Sequence, residues 1–500
     1  MVPATRRGVQ PSRQRPGGPA EPSHILTAVS EGTSEPRVLP RPEHPISRKD
    51  ISPNALKVLY RLHQRGYKAY LVGGSVRDLM LGRRPKDFDI GTDASPQEVR
   101  RLFRNSRIIG RRFRLVHVVF EGEVIEVSTF RGAPESPGAL DRVAARDAVA
   151  REAEDGDEGE AGGRDDELLV TSDNTFGTPR EDAFRRDFTV NALFYDIEDF
   201  SVIDWVGGID DLQRRLIRVI GDPEVRLQED PVRMMRACEY AGRLSFGIDV
   251  ATQEAIQRQR QKVELASPVR VTEEILQLLR CGHSGAAVQW MLDLGLLEVL
   301  LPEAYAMVGG GTGSGGDFGR LLPTVDRLVQ QGRELSDAAV LAVLILPKVL
   351  LRRDDIEAVD GKPMSRAALR QLVDESVEPF AVRLALSRAR ASQLNHALVA
   401  FFRLCEPGWA PRGRTQMARR PYFDDGLLLF ELMVEAMGDG REALAAWQAA
   451  AKHRGRVDAP EPPSTPAPGE AAAPGGEAPA ARRSRRRRRR RRGGTARGAG

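Results

Sequence analysis

The chain has 500 residues, 41% of them hydrophobic and 29% charged, with a formal net charge of +5. That length is enough for two to four domains with apolar cores of their own. No apolar run reaches the roughly 18 residues of a membrane-spanning helix, and the first 40 residues contain no apolar segment of the kind found in signal peptides.

Residues 1–45 are rich in Pro, Arg and Ser, and we expect them to be disordered. The first predicted helix begins at Ser52-Pro53, because Ser is a good N-cap and Pro is tolerated at the first helical position. Its apolar stripe is Ala55, Leu56, Leu59 and Leu62, and Gly66 is predicted to end it.

A glycine pair follows a short buried strand. Residues 69–72 predict the strand, and residues 75–81 predict a short helix directly after Gly73-Gly74. The paired glycines allow a phosphate group to approach the backbone closely. The helix N-terminus, with Arg77 nearby, favours an anion.

Two carboxylates come next, at Asp87 and Asp89, one residue apart. Side chains at i and i+2 of a strand face the same way, so both could hold divalent metals side by side. An Asp-x-Asp pair alone is a weak signal, but a preceding glycine pair and short helix are typical of a two-metal nucleotidyl-transfer site.

A capping box at residues 95–98 predicts another helix. Residues 113–120 and 123–130 then predict two strands joined at Glu121-Gly122. Glu126 lies inside the second strand, where a charged side chain usually has a function or a partner. His117 lies in the first strand, and we interpret its role as structural rather than catalytic.

A second polar cluster follows an acidic insertion. Residues 141–167 are rich in Asp, Glu, Ala and Gly and predict a solvated insertion. Beyond it, Arg186, Asp187 and Asn191 form a group in which arginine suits phosphate and the Asp and Asn suit ribose hydroxyls. A structural salt-bridge cluster is an equally good interpretation of the same residues.

From residue 207 the periodicity is helical. The segment 229–233 predicts a helix start with Asp230 and Arg233 on one face, where they could present an acceptor and a donor to a base edge. An ordinary helix ion pair explains the same spacing. The glycine-rich stretch 309–316 predicts a flexible link, after which helices resume from about residue 320 to 452.

The C-terminal residues carry the basicity of the chain. Residues 457–481 form a Pro/Ala/Gly/Glu linker, and residues 482–500 contain 11 arginines and no acid. Without that tail, 64 basic residues face 70 acidic ones, a net charge of about −6. Cys238, Cys281 and Cys405 show neither metal nor disulfide spacing, which favours a reducing, cytoplasmic location.

In this order, the segments resemble the class II nucleotidyltransferase superfamily, which contains bacterial poly(A) polymerases and CCA-adding enzymes. Within it the chain is most similar to the bacterial poly(A) polymerases, on residues 46–62 (ISRKDISPNALKVLYRL), 110–118 (GRRFRLVHV) and 181–192 (EDAFRRDFTVNA), together with the Arg-rich tail. The resemblance implies an α+β fold with a nucleotidyltransferase head followed by helical neck, body and RNA-binding regions.

The domain boundaries expected from this likeness are five. They are a disordered segment 1–45, a head 46–206 with the insertion 141–167, a helical neck and body 207–308, a C-terminal helical RNA-binding region 320–456, and a disordered linker and tail 457–500.

The resemblance also implies site residues and ligands. Asp87 and Asp89 would bind Mg²⁺ (or Mn²⁺), and Asp187 would be the further catalytic acid, with Glu126 the second candidate for that role. The nucleotide would be held by Gly73, Gly74, Ser75, Arg77, Arg186 and Asn191, with its base facing Asp230 and Arg233. ATP and RNA 3′ ends are the implied substrates, and RNA-decay machinery is an implied partner.

Two alternatives remain at this point. A CCA- or A-adding tRNA nucleotidyltransferase shares the same motifs, and residues 110–118 and the tail favour the polyadenylating member only by resemblance. A non-catalytic RNA-binding protein would use the arginine block, but Asp87, Asp89 and Asp187 are all present. The chain departs from the family in three places: Glu239 stands where relatives usually carry Arg, the acidic insertion is long, and residues 133–137 lack the histidines found in some relatives.

Overall fold

The computed structural model describes residues 35–110, 114–132, 176–309 and 315–454. The acidic insertion 141–167, the linker 457–481 and the arginine block 482–500 lie outside these residues, as do residues 1–34 and 111–113. Within the described ranges, no helix combines the length and apolar character needed to cross a membrane.

Ten strands and nineteen α-helices are present in the described ranges. The strands are β1 Arg37–Leu39, β2 Ala69–Val72, β3 Asp89–Thr92, β4 Ser106–Ile109, β5 Leu115–Phe120, β6 Glu123–Thr129, β7 Leu193–Asp196, β8 Val202–Asp204, β9 Leu216–Ile217 and β10 Gly247–Ile248. The helices of the head and neck are α1 Pro53–His63, α2 Gly74–Met80, α3 Pro96–Leu102, α4 Pro179–Arg185, α5 Gly208–Arg214, α6 Pro223–Glu229 and α7 Arg233–Leu244. The remaining helices are α8 Val250–Gln259, α9 Pro268–Leu279, α10 Ser284–Asp293, α11 Leu296–Leu300, α12 Pro302–Gly309, α13 Gly315–Gln330, α14 Asp337–Asp360, α15 Arg366–Arg383, α16 Arg388–Cys405, α17 Pro411–Ala418, α18 Phe423–Met437 and α19 Arg441–His453.

The head is built on one eight-stranded sheet in the order β1-β8-β7-β2-β3-β6-β5-β4. Strands β3 and β6 pair in parallel, and the other neighbouring strands are antiparallel. Helix α1 covers one face with Ala55, Val58, Leu59 and Leu62, all of them buried. An aromatic cluster that includes Phe130 and Phe194 lies in a separate small core.

The local signals in the head are confirmed. The Ser52 side chain accepts hydrogen bonds from the amides of residues 54 and 55 at the start of α1, and a full capping box opens α3 at Ser95. Strand β2 covers the predicted residues, and β5 and β6 form the predicted hairpin at Glu121-Gly122. Short-range capping and turn chemistry therefore explains these boundaries.

The head begins earlier than predicted. Strand β1 pairs with β8 through Arg37–Asp204 to Leu39–Val202, so the sheet starts before residue 46 and residues 35–45 are not disordered. A three-residue edge strand has no periodicity of its own to detect, because its order comes from the ladder that it joins. The boundary at residue 45 was therefore wrong.

The helices after residue 207 are confirmed. Helix α7 is buried along most of its length and crosses α10 so closely that a Cβ on Gly242 would lie 2.6 Å from the Ala287 amide nitrogen. Helix α14 is the centre of the C-terminal part, with residues 338–347 buried. The predicted link 309–316 is shorter than expected, since α12 includes Gly309 and α13 begins at Gly315.

Candidate active site

Asp89 and Glu126 lie side by side at one edge of the head sheet, where β3 begins, and Asp87 precedes Asp89 by two residues. Asp89 begins β3 and lies directly beside Glu126 in the parallel ladder with β6, while Val72, the last residue of β2, is its partner on the other side. Neighbouring strands lie about 4.8 Å apart, so partners in register place their side chains close together. Asp87 is exposed and precedes Asp89 by two residues, with buried Phe88 between them.

The charges on these residues influence one another. Burial raises the pKa of Asp89 to about 6, the carboxylates of Glu126 and Asp87 add to the rise, and Arg186 opposes it. A carboxyl group whose ionised form is disfavoured by neighbouring carboxylates gains from a bound cation. The donor set therefore fits a hard divalent metal, which prefers oxygen ligands.

The carboxylate edge is not a closed cage. Among the described residues, no group of three or more His, Cys, Asp or Glu side chains is arranged to surround a metal ion by itself. Mg²⁺ typically uses one or two carboxylates, waters and substrate phosphates rather than an all-protein cage. The open carboxylate edge beside the Gly73-Gly74 turn is consistent with this mode of Mg²⁺ binding.

Glu126 has a partner on its other side. His117 lies opposite it in the β5–β6 ladder, and His117 Nε2 is 3.5 Å from Glu126 Oε2. The Glu126 side chain is 41% exposed. Glu126 is thus accessible, and its contact with His117 orients its carboxylate. This contact agrees with the structural interpretation of His117.

The glycine turn lies beside this edge. Gly73 has φ of +71° and its amide donates to the Leu193 carbonyl. A Cβ at Gly73 would lie 2.9 Å from an Arg186 guanidinium nitrogen. A side chain at this position would therefore occupy the space between the turn and Arg186, so the turn requires glycine for both conformation and room.

Ser75 and Arg77 are turned inward. The Ser75 hydroxyl donates to the Val72 carbonyl at 2.9 Å, and Arg77 donates to Asn191 Oδ1 at 2.5 Å and to Asp78 at 2.8 Å. Both side chains are buried. They support the turn from behind rather than presenting free groups to a ligand.

Arg186, Asp187 and Asn191 form a connected network. Arg186 donates to the Asn191 carbonyl and pairs with Asp182 at 2.9 Å. Asp187 Oδ1 accepts from Asn191 Nδ2 at 3.2 Å and from the Phe188 amide at 2.8 Å. The structure therefore contains the salt-bridge cluster that the sequence allowed, with Arg186 at its edge beside Gly73.

Asp187 is held ionised by α7. Its Oδ2 lies 2.7 Å from Arg236, in an ion pair that is not an aligned hydrogen bond. Burial would raise the pKa of Asp187, but Arg236, Asn191 and the Phe188 amide outweigh burial and hold the pKa below its usual value. Asp187 therefore joins the head to the neck.

The predicted pairing of Asp230 and Arg233 on one helix face was wrong. Helix α6 ends at Glu229, Asp230 is extended, and α7 begins only at Arg233. Asp230 Oδ2 pairs with Arg270 at 2.9 Å, whereas Arg233 donates to the Arg226 carbonyl at 2.6 Å. Pro231 disfavours a helical conformation for the residue before it, so the helix cannot begin at 229.

The comparisons with known proteins agree with this geometry. Residues 69–218 match the family model "Poly A polymerase head domain", and residues 245–307 match "Probable RNA and SrmB- binding site of polymerase A". Poly(A) polymerase I of Salmonella typhi is 41% identical over 350 residues, which cover 69% of this chain and 71% of that protein. The chain belongs to the bacterial poly(A) polymerase family. Poly(A) polymerase I of Escherichia coli O6:H1 is 40% identical over the same shares.

The CCA-adding branch is more distant from this poly(A) polymerase family member. The CCA-adding enzyme of Lactobacillus helveticus is 36% identical over 249 residues, covering 50% of this chain and 55% of that protein. Among solved structures, the Bacillus stearothermophilus CCA-adding enzyme in complex with CTP has a TM-score of 0.54 at 24% identity, covering 80% of this chain and 82% of that one. That likeness confirms the α+β fold.

Some site residues of this family member could not be found from the sequence motifs. Arg236 donates to the Tyr240 hydroxyl at 3.0 Å and lies 3.8 Å from Glu274 on α9, so it joins three elements around Asp187. Tyr240 also has the Arg77, Arg236 and Arg243 guanidinium groups within 5.0–5.6 Å of its ring. The available signal in the sequence was Arg236, a charged residue that lies between the apolar residues Met235 and Ala237.

Glu239 is buried inside the same cluster. Its Oε1 lies 3.3 Å from Arg243 Nε, but neither carboxylate oxygen has a hydrogen-bond partner in the described part of the chain. Burial raises its pKa, and Arg243, Arg236 and Arg77 oppose that rise. The departure noted in the sequence therefore adds one acidic group to an arginine-rich site.

Proposed function

We propose that this chain adds AMP from ATP to RNA 3′ ends without a template, by a two-metal mechanism. The observation that carries the proposal is the register that sets Asp89 beside Glu126, with Asp87 two residues away and the Gly73-Gly74 turn next to them. In the reaction, the terminal 3′ oxygen of the RNA attacks the α-phosphorus of ATP. The bond from the α-phosphorus to the bridging oxygen breaks, pyrophosphate leaves, and the 3′-hydroxyl proton passes to solvent.

Asp87 and Asp89 would hold Mg²⁺ or Mn²⁺. When bound, the metals supply activation of the attacking hydroxyl and stabilise charge on the leaving pyrophosphate. The mutual repulsion of the carboxylates around Asp89 supports this assignment, because a cation would relieve it.

The third catalytic carboxylate is Glu126 in this proposal, and Asp187 is a positioning residue. Glu126 is the ladder partner of Asp89, and its side chain is partly exposed. Asp187 is 13% exposed, its Oδ1 accepts from Asn191 and the Phe188 amide, and its Oδ2 pairs with Arg236. A carboxylate already neutralised by an arginine is poorly placed to bind a metal as well.

The triphosphate would lie on the Gly73-Gly74 turn. The first amides of α2 have no acceptor inside the helix, and Arg186 borders the turn. Asn191 would meet the ribose, oriented by Asp187 and Arg77. Ser75 and Arg77, which the sequence predicted to contact the triphosphate, would instead support the turn through their bonds to Val72 and Asn191.

The base would meet Asp230 and Arg233 from two elements rather than from one helix face. Asp230 Oδ1 is buried and has no hydrogen-bond partner among the described residues, so an acceptor remains for an exocyclic amino group. Arg233 lies within electrostatic reach of both Asp230 and Asp187.

RNA would contact the helical part of the chain. The match of residues 245–307 to a probable RNA and SrmB binding region supports RNA contact there. The association with RNA-decay machinery stays a prediction. We assign residues 320–456 to RNA binding as well. The three unpaired cysteines agree with a cytoplasmic location.

The second candidate, a CCA-adding enzyme, is supported by the likeness to the Lactobacillus helveticus enzyme over half of this chain. The deciding experiment offers the purified chain a generic RNA and a tRNA lacking its terminal CCA, each with the four nucleoside triphosphates singly and Mg²⁺. Repeated AMP addition to the generic RNA is expected. CMP and AMP addition confined to the truncated tRNA would assign the chain to the CCA-adding class instead.

A further inference from the structure

A groove of about 440 Å³ lies between α15 and α16, outside the active site described above. Its apolar wall includes Val377, Ala381 and Leu386, and Asn395 closes one side. Asn395 Nδ2 donates to Asp374 Oδ1 at 2.7 Å, which fixes the orientation of the amide. Asn395 Oδ1 is then a buried acceptor with no partner among the described residues.

A stacked ring pair adjoins the groove. The rings of His396 and Tyr422 have centroids 5.0 Å apart and planes inclined by 14°. His396 is exposed and is joined to Ser392, which lines the groove, by a 3.4 Å hydrogen bond. The outer face of the His396 ring is therefore available for a further planar group.

The charges around the groove and the ring pair differ. Asp374 and Glu378 line the groove, so a phosphate inside it would be repelled. Arg419 and Arg420 lie just before Tyr422, both are exposed, and neither has an ion-pair partner in the described part of the chain. The groove thus suits a base, and the arginines suit phosphates.

Helix α9 connects this region to the nucleotide site. Arg270 pairs with Asp230, and Glu273, about one turn further along the helix, pairs with Arg390 at the start of α16 at 2.8 Å. Thr272 donates to the Leu384 carbonyl, at the end of α15, at 2.6 Å. Helix α9 therefore contacts both Asp230 and the two helices that form the groove.

We propose that this groove and the His396–Tyr422 pair form a binding site for single-stranded RNA upstream of the reacting 3′ end. One base lies in the groove, where an exocyclic amino group such as adenine N6 donates to Asn395 Oδ1. A neighbouring base stacks on His396, and Arg419 and Arg420 contact the adjoining phosphates. The site rests on the proposed RNA substrate and explains how the enzyme retains a lengthening adenylate strand.

The first test measures the affinity of the full chain for a long oligoadenylate ending in a 3′-deoxynucleotide, across a salt series. His396→Ala should weaken binding about tenfold, the effect of losing one stacked base. Arg419→Gln/Arg420→Gln should flatten the slope of log affinity against log salt by roughly 1.4, for two single-strand phosphates. The matched control is Arg65→Gln/Lys68→Gln, which removes two cations at the opposite end of β2 from Gly73 and should leave the slope unchanged.

The second test addresses the base. Replacing adenine in the upstream part of the oligonucleotide with purine, which lacks the amino group, should weaken binding to the wild-type chain. Asn395→Leu should bind both oligonucleotides equally, because the acceptor is gone. Circular dichroism checks the folding of any variant in the groove. His396→Ala, at an exposed position, is the second variant if Asn395→Leu does not fold.

Extension of a dinucleotide primer, which has only one base upstream of the reacting nucleotide, separates this inference from the proposed function. All variants should extend the short primer at the wild-type rate. Only the KM for long RNA should increase. Wild-type affinity of His396→Ala and of the arginine variant for long RNA would overturn the site while leaving adenylyl transfer intact. Failure of the wild-type chain to extend either primer would instead overturn the proposed function.

Discussion

The roles of Glu126 and Asp187 can be separated by changing one charge at a time. We expect Glu126→Gln to lower kcat for AMP addition by about 10²–10³-fold, the usual effect of removing one preorganised electrostatic group. Its side chain is 41% exposed and its only ion-pair partner in the described part of the chain is His117, so the melting temperature should hardly change. Glu121→Gln, an exposed residue in the same hairpin turn, is the matched control.

Asp187→Asn should have the opposite effect, with a lower melting temperature and a nearly unchanged kcat. It removes one partner of the ion pair with Arg236. The Asp187 side chain is 13% exposed and the Arg236 side chain is 34% exposed. Breaking a fully buried pair costs about 3–5 kcal/mol. Because Arg236 is one-third exposed and keeps its bond to the Tyr240 hydroxyl, we expect about 2–3 kcal/mol, or a melting temperature lower by roughly 2–4 °C.

The pH dependence gives a further check on Asp187. A carboxyl group whose pKa is lowered by folding stabilises the protein above its unfolded pKa, and that contribution is lost as pH falls through the folded value. The stability difference between wild type and Asp187→Asn should therefore be complete at neutral pH and shrink in acid. Wild-type kcat for Glu126→Gln, together with a folded but inactive Asp187→Asn, would refute the assignment and make Asp187 the third carboxylate.

Three other results are expected. Asp89→Ala should abolish nucleotide addition without unfolding the head, and wild-type rates with Mg²⁺ would contradict the metal assignment. Glu239→Gln should raise the melting temperature at neutral pH, because folding raises the pKa of this buried group. The increase in melting temperature should shrink as pH falls through the pKa of the folded state. An increase that does not depend on pH would exclude the charge as its cause. Arg233→Ala should reduce the preference for ATP over CTP on generic RNA more than it changes the Mg²⁺ dependence, measured as the ratio of kcat/KM values.

The arginine block also remains a prediction, because residues 482–500 lie outside the described residues. Deleting them should weaken RNA affinity at low salt and flatten the salt slope by about 0.7 for each phosphate no longer contacted. Turnover at saturating RNA should persist. Superimposable slopes for full-length and truncated chains would mean that the block does not engage RNA.

Local sequence determined the elements that carry the chemistry. Ser52 and Ser95 fix helix starts through their own side chains, and the Gly73-Gly74 turn requires glycine because of its backbone. The Asp87–Asp89 spacing likewise determines that two carboxylates stand together. These features depend on neighbours within a few residues, so they can be predicted from the residues alone.

The tertiary structure decided which distant groups meet. Glu126 reaches Asp89 only because β3 and β6 pair in parallel in one particular register, and a shift by one residue would turn it to the other face. Asp187 meets Arg236 only because α7 packs against the head, and Asp230 leaves the helix of Arg233 because Pro231 intervenes. Pairings of this kind depend on packing between elements far apart in the chain, and no local pattern encodes them.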